Sequence, residues 1–289
     1  MKPAAFEYHV PSTVAETVGM LAELGDDAKI LAGGQSLVPM MALRLARPEH
    51  LVDVNRVAGL TGVSRENGSL VVGAATRHAT LQRDPEIASA VPLLARVAPF
   101  IGHFQIRNRG TLGGSLAHAD AAAELPAVAR ALDAEFEVAG PGGARRVAAA
   151  DFFQTLFTTA LEPDELLVAV RFPVWEPGSG FAVAEVARRH GDFALAGAVC
   201  GVRVRSGRIT RVAIGLIGMG SVPVRAEAVE RTLIGTEAAG LDLADVGAQA
   251  VADADPPADV HAGARYRAKV GATLVARALS TALEEANRG

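Results

Sequence analysis

The sequence predicts a mixed α+β chain of two domains. Three observations carry this. The first fifty residues or so alternate short apolar strands with a helix, the pattern of an α/β unit. The middle of the chain carries two hairpin signals, around Asn67-Gly68 and Pro141-Gly142-Gly143. The Pro/Gly-rich stretch Trp175-Glu176-Pro177-Gly178-Ser179-Gly180 then separates these regions from a run of three strands followed by helices.

In order along the chain, Phe6 to Val10 reads as a strand. Thr13-Val14-Ala15-Glu16 reads as a capping box, and Val14, Val18, Leu21 and Leu24 give a helical stripe that stops at Gly25. Lys29 to Ala32 is a strand broken by Gly33-Gly34. A helix is expected from Val38 to Leu45, with Pro39 in its first turn, and a strand from His50 to Val54. Val63 to Ala74 and Phe136 to Val147 form the two hairpins. Between them lie one Ala-rich helical stretch over Glu86 to Ala98, a polar glycine-rich run from Gly102 to Ser115, and a helix from Ala121 to Leu132. Leu166 to Phe172 is a strand ended by Pro173. Past the linker, Phe181 to Arg188, Ala194 to Arg205 and Arg208 to Leu216 are strands, the last two joined by Ser206-Gly207. The remainder is helical, ending in a helix from Tyr266 to Ala286. The boundaries expected are 1–174 for the first domain, with lobes of about 1–56 and 57–174, and 175–289 for the second.

Composition narrows the function. Over 289 residues, 50% are hydrophobic and 21% charged, which excludes global disorder. The net charge of -4 offers no whole-chain basic footprint, so no nucleic-acid partner is expected. The single cysteine, Cys200, cannot form an internal disulfide or hold an all-cysteine iron–sulfur cluster. The N-terminus turns polar at once, and the uncharged stretch Val212 to Val224, with its glycines and proline, is too short to span a bilayer. A cytoplasmic protein is the expectation. The 57 alanines and the excess of Arg over Lys, 25 to 3, read as genomic base composition.

Two glycine loops carry most of the chemistry. The first is Leu31-Ala32-Gly33-Gly34-Gln35-Ser36-Leu37, between a strand and a helix. Paired glycines permit positive φ and close approach of backbone to ligand, and successive N–H groups can cradle an anion. The second, Arg109-Gly110-Thr111-Leu112-Gly113-Gly114-Ser115, pairs glycines again, with hydroxyls on both sides. Each alone reads first as an ordinary turn; together they favour a shared polyanionic ligand. Neither matches the Gly-x-Gly-x-x-Gly or Gly-x-x-x-x-Gly-Lys pattern. His103, His118 and His190 lack zinc-ligand spacing, so no metal is expected on this chain, and no catalytic set of nucleophile and base stands out.

The runs Ala32-Gly33-Gly34-Gln35-Ser36-Leu37 and Gln105-Ile106-Arg107-Asn108-Arg109-Gly110-Thr111-Leu112-Gly113-Gly114-Ser115-Leu116-Ala117-His118-Ala119-Asp120 resemble the FAD-binding medium subunit of the molybdenum hydroxylases, the family of aerobic carbon monoxide dehydrogenase and xanthine dehydrogenase flavoproteins. Arg188 to Ala196 and Pro223-Val224-Arg225-Ala226 are similar to that family's C-terminal domain. The resemblance implies a two-lobed FAD-binding domain of the vanillyl-alcohol-oxidase (PCMH) type, closed by a C-terminal domain of three antiparallel strands with helices. It implies that Leu31 to Leu37 and Thr111, Gly113, Gly114 and Ser115 hold the FAD pyrophosphate, and that Ile101 and Leu167 make apolar cofactor contacts. Phe193 falls where relatives place a residue over the isoalloxazine, or is a core residue. Glu124, before Leu125-Pro126, stands where the family often has Asp; it contacts the cofactor's ribose or is a helix-start carboxylate. Some relatives have a Lys just upstream of Arg188-Arg189; here Ala184 and Glu185 take that region, so no lysine contact is carried over. The implied partners are an iron–sulfur small subunit and a molybdenum-cofactor large subunit, in a hetero-oligomer doubled by symmetry. The chain would pass electrons from the clusters to an external acceptor; the alternative is a self-contained FAD-dependent oxidase on the same fold.

Overall fold

Thr13 starts the first helix as its spacing from Glu16 predicts, and Ser12 joins it. The Glu16 N–H donates to the Thr13 hydroxyl at 3.1 Å, and the Glu16 carboxylate accepts from the Ser12 N–H and hydroxyl at 2.7 and 2.8 Å. In the computed structural model, which describes residues 2–288, this helix belongs to a first lobe of β1 (Glu7–His9), α1 (Val14–Leu24), β2 (Ala28–Leu31), α2 (Leu37–Ala42) and β3 (His50–Asp53). The strands form a parallel sheet in the order β1-β3-β2. Val18 and Leu21 of α1 are buried, and Val18 clusters with Val54, Val57, Leu60 and Leu166, so this helix is anchored to the next lobe as well as to its own sheet. The helix expected over Val38 to Leu45 begins a residue early and ends at Ala42, with Arg44 turned to φ 60°.

The second lobe opens with the hairpin β4 (Val63–Glu66) and β5 (Ser69–Gly73). Asn67 and Gly68 take φ of 48° and 78°, as a two-residue turn between twisted strands requires. Helices α3 (His78–Arg83), α4 (Pro85–Ala90), α5 (Pro92–Val97), α6 (Phe104–Arg109), α7 (Leu112–His118) and α8 (Glu124–Ala131) follow. The helical stretch expected around Glu86 to Ala98 is divided in two, because Pro92 has no N–H to continue the ladder and opens α5 instead. The glycine-rich run Gly102 to Ser115, expected as loop, holds α6 and the first turn of α7. Hairpin β6 (Glu135–Gly140) and β7 (Gly143–Ala148), short α9 (Ala149–Phe152), the pair β8 (Phe153–Thr155) and β9 (Thr158–Thr159), and β10 (Leu166–Pro173) complete the lobe. β10 inserts between the two hairpins, giving an antiparallel sheet in the order β4-β5-β10-β6-β7. Phe136 and Phe152 stack at 3.8 Å beneath it, fully buried, each contributing roughly 2 kcal/mol by burial.

The C-terminal region holds β11 (Ser179–Ala187), β12 (Ala194–Arg205), β13 (Arg208–Ile217) and β14 (Val224–Arg225), then α10 (Glu227–Leu233), α11 (Leu243–Ala250) and α12 (Ala264–Ala286). The sheet runs β11-β12-β13-β14; the two-residue β14 is an addition to the three strands expected. Helix α12 covers one face and α8 lies on the other. Gly215 of β13 makes that second contact possible: a Cβ there would stand 2.8 Å from the Ala127 carbonyl oxygen. Across the same boundary Arg96 pairs with Glu285, whose carboxylate also accepts the Phe181 N–H at 3.0 Å. Trp175 is 8% exposed, and the Arg211 guanidinium lies 4.0 Å over its ring, so packing holds the linker at both ends.

Candidate functional site

The two glycine loops meet. Loop one, Ala32 to Ser36, follows β2, and a Cβ on Gly33 would lie 2.5 Å from the Arg109 carbonyl oxygen and 2.6 Å from the Gly110 Cα. A Cβ on Gly114 would lie 3.4 Å from that of Ala32. Gly33 is therefore glycine for close approach, whereas Gly34 is glycine for its φ of 71°. Among the described residues, no backbone N–H from Gly33 through Ser36 donates to a protein acceptor. The Gln35 side chain donates to the Gly33 carbonyl at 2.9 Å, and the Ser36 hydroxyl does not cap α2. Leu31 ends β2 and Leu37 opens α2, so strand and helix fix the loop at both ends.

Loop two is built differently. Thr111 is the N-cap of α7, its Oγ1 accepting the Gly114 N–H at 3.1 Å. The Leu112 N–H donates to Thr76, the Gly113 N–H to Ala74 at 2.7 Å, and the Ser115 N–H to the Thr111 carbonyl. The N–H groups from Leu112 to Ser115 are all spent on protein acceptors, two on the neighbouring Thr76 and Ala74 carbonyls and two on the N-cap Thr111. Gly113 and Gly114 have no positive φ. A Cβ on Gly113 would meet Ala74 at 2.6 Å, and one on Gly114 would meet the Thr111 hydroxyl at 2.7 Å. What loop two still offers a ligand is the Thr111 hydroxyl proton and the Ser115 hydroxyl.

Three residues absent from the expected set brace the seam. Asn55 Nδ2 donates to the Ala32 carbonyl at 2.8 Å, and its Oδ1 accepts Arg77 Nη2 at 2.6 Å. Arg77 donates in turn to the Arg109 carbonyl. His78 Nε2 donates to the Thr111 carbonyl at 2.8 Å, and its ring fills the space over Gly110. Burial pushes the His78 pKa down to about 4, so the ring is neutral near pH 7.

The remaining predicted residues spread around the seam. Glu124 is the first residue of α8, as the helix-start reading holds, yet it is 5% exposed. Burial, with the Asp120 charge adding, pushes its carboxyl up to about 7. Glu185 of β11, which sequence reasoning passed over, is pushed up to about 8 by burial and then by the Glu124 charge; its buried Oε2 has no partner among the described residues. Ile101 and Leu167 lie in the apolar core of the second lobe, 8% and 4% exposed. Phe193 is 60% exposed, just before β12, so the structure does not make it a core residue. Its loop touches the other domain at His103: the His103 and His190 rings meet edge to face at 5.9 Å. Cys200 is fully buried in β12 and its thiol is pushed up by desolvation, as an inert core thiol should be. A shallow apolar cleft of about 570 Å³ between α1 and the β6–β7 turn contains no titratable group.

Two lobes joined at a seam of glycine loops, followed by a C-terminal sheet domain, define a class, and comparison with known proteins identifies it. Residues 4–175 match the FAD binding domain in molybdopterin dehydrogenase, and residues 181–282 match the CO dehydrogenase flavoprotein C-terminal domain. The chain is 44% identical to the 6-hydroxypseudooxynicotine dehydrogenase complex subunit alpha of Paenarthrobacter nicotinovorans, over 99% of this chain and 97% of that one. It is 39% identical to the carbon monoxide dehydrogenase medium chain of Hydrogenophaga pseudoflava, over 98% of each. A solved carbon monoxide dehydrogenase from the latter organism superposes with a TM-score of 0.96 over 99% of both chains, at 39% identity. The chain belongs to the FAD-binding medium-subunit family of the molybdenum hydroxylases: it is an oxidoreductase flavoprotein subunit and its cofactor is FAD. The seam fits that cofactor. The unspent N–H groups of loop one suit a pyrophosphate, and the unpartnered Glu185 oxygen beside Glu124 suits sugar or ribityl hydroxyls.

Proposed function

We propose that this chain is the electron-transferring subunit of a molybdenum hydroxylase complex. It receives electrons from iron–sulfur clusters on a small partner subunit, while a large partner oxidises the substrate at a molybdenum cofactor. The two lobes, 1–56 and 57–174, form a FAD-binding fold of the vanillyl-alcohol-oxidase (PCMH) type, and 175–289 closes over it. The observation that carries the reading is the seam itself, where one loop keeps its N–H groups free and the other is braced against it.

The flavin supplies two-electron and one-electron redox chemistry when bound. The chain's own residues bind and orient it. Loop-one N–H groups from Gly33 to Ser36, with the hydroxyls of Ser36, Thr111 and Ser115, hold the diphosphate. Leu31, Ala32, Gln35 and Leu37 shape that loop, and Gly113 and Gly114 keep α7 close to it. Glu124 accepts from a ribose hydroxyl, Ile101 and Leu167 back the cofactor with apolar surface, and Phe193 shields the ring. With a single, buried cysteine the chain houses no cluster of its own, so its electrons come from another chain.

The exposed apolar side chains Val38, Met40, Leu43 and Leu45 beside loop one, and Phe193 and Phe104 further round, supply surface for such a partner. We expect an obligate contact of more than about 2,000 Å² in total, in an assembly of one copy of each subunit doubled by symmetry. We assign the complex to the cytoplasm; among the described residues no helix is long and apolar enough to cross a membrane. The test is reconstitution. Mixing the flavin-loaded chain with its iron–sulfur and molybdenum subunits and adding substrate should bleach the flavin absorbance. Substrate turnover by the lone chain, with no bleaching in the mixture, would establish a self-contained oxidase instead.

A further inference from the structure

The first sheet carries a second constellation that the cofactor seam does not use. β1 and β3 pair in parallel with Glu7 opposite His50 and His9 opposite Val52. Side chains alternate faces along a strand, so Glu7 and His9, two residues apart, share one face, and His50 rises from the neighbouring strand onto that face. The result is a three-pronged cluster. His9 Nε2 lies 3.1 Å from His50 Nδ1, and Glu7 Oε2 lies 3.4 Å from His50 Nδ1 and 3.9 Å from His9 Nε2.

These separations match a coordination sphere. Ligands about 2.0–2.1 Å from a tetrahedral zinc ion are about 3.3 Å from one another, and the three observed distances bracket that edge. The imidazoles are mostly buried, with side chains 24% and 21% exposed, while Glu7 is 73% exposed. Two nitrogens are therefore held by packing, and the carboxylate and a fourth direction face solvent. Without a metal, only one of the facing ring nitrogens can donate to the other; a cation accepts lone pairs from both. We propose that Glu7, His9 and His50 bind a divalent transition-metal ion, with water completing the shell. Two imidazoles and one carboxylate select zinc and its first-row neighbours over magnesium and calcium, which prefer all-oxygen sites.

The site is separate from the cofactor seam. His50 opens β3 opposite Ala28, the first residue of β2, whereas loop one follows Leu31 at the other end of that strand, roughly 10 Å away at 3.3 Å per residue. Bound metal would tie the three-residue edge strand β1 to the central strand β3, so occupancy stabilises the first lobe by linkage.

The test is calorimetric titration of the full, flavin-loaded chain with zinc chloride after chelator treatment, with calcium chloride as control. One zinc per chain, a rise in melting temperature with zinc and no saturable calcium binding are expected. His9→Gln and His50→Gln should each weaken zinc binding by more than about tenfold, and Glu7→Gln by less, with FAD content unchanged in all three. Unchanged FAD certifies that a variant has folded. Should one lose FAD, the other two carry the comparison, together with modification of His9 and His50 by diethylpyrocarbonate, which zinc should block. No saturable zinc binding by the wild type, or equal binding by the variants, overturns the proposal and leaves the pair as a hydrogen bond between two imidazoles.

Discussion

Loop one and loop two look alike as sequence, each a glycine pair with a serine close behind it, but they solve opposite problems. In loop one the N–H groups from Gly33 to Ser36 stay free of protein acceptors, and Gly34 sits at φ 71°. In loop two every N–H from Leu112 to Ser115 has an acceptor, and the glycines serve packing against Ala74 and Thr111. One loop is built to receive a ligand and the other to brace it. A glycine pair thus specifies that the backbone comes close to something; whether that is ligand or protein depends on where the N–H groups are spent.

The comparison breaks most visibly at Gly33, which belongs to both sides. A β-branched side chain there would overlap the Arg109 carbonyl and the Gly110 Cα, which are backbone atoms with nowhere to go. Gly33→Val should abolish FAD binding and lower stability by roughly 1–3 kcal/mol. FAD content of the purified variant, read from the visible spectrum, is the check. Normal FAD content would show that the two loops can part without cost to the site.

The brace is tested next at His78. His78→Ala takes one of its two donors from the Thr111 carbonyl, which keeps the Ser115 N–H, and opens a void over Gly110, at a cost of roughly 2–3 kcal/mol. Its sign with pH is distinctive. The folded pKa of about 4 lies below the ordinary 6.5, so the stability His78 contributes is complete above pH 6.5 and lost as pH falls toward 4. Urea unfolding at pH 7 and pH 5 should therefore differ less for His78→Ala than for the wild type.

Glu124 and Glu185 behave in the opposite sense. Their folded pKa values of about 7 and 8 lie above the ordinary 4.5, so their contribution is complete below pH 4.5 and lost as pH rises through 7 to 8. In the cofactor-free chain, Glu185→Gln should flatten the alkaline decline by on the order of 1–2 kcal/mol. An undiminished decline in the variant would mean that the two carboxyls do not share their environment. On the cofactor side, Glu124→Ala should weaken FAD binding by roughly 1–3 kcal/mol, the cost of a charge-assisted hydrogen bond; an unchanged dissociation constant leaves Glu124 as a helix-start carboxylate.

The sequence was legible wherever structure is local. The capping box at Thr13, the Asn67-Gly68 and Ser206-Gly207 turns and the long strands β12 and β13 are all dictated by neighbours within a few residues. Helix α7 was hidden because glycines, poor helix formers, occupy its first turn, where packing on Ala74 rather than propensity decides. Asn55, Arg77 and His78 were illegible for another reason. Their partners Ala32, Arg109 and Thr111 lie more than twenty residues away, and single polar residues leave no periodicity to read. Glu185 was passed over because the resemblance offered a lysine there, and its coupling to Glu124 emerges only when the C-terminal sheet packs on α8.

The smallest expected effect sharpens the comparison most, because it asks two hydroxyls to report on different quantities. The Ser36 hydroxyl makes no capping bond, so its protein environment gives nothing up when it is removed. Thr111 Oγ1, by contrast, caps α7 through the Gly114 N–H. Ser36→Ala should leave the melting temperature of the cofactor-free chain unchanged and weaken FAD binding by about 1 kcal/mol, one neutral hydrogen bond. Thr111→Ala should cost about 1 kcal/mol of stability in the same cofactor-free chain, the usual loss for an N-cap. Thermal unfolding without FAD and fluorescence titration with FAD separate the two. If Ser36→Ala lowers the melting temperature as much as Thr111→Ala does, loop one is bracing structure as well, and the division between the loops fails.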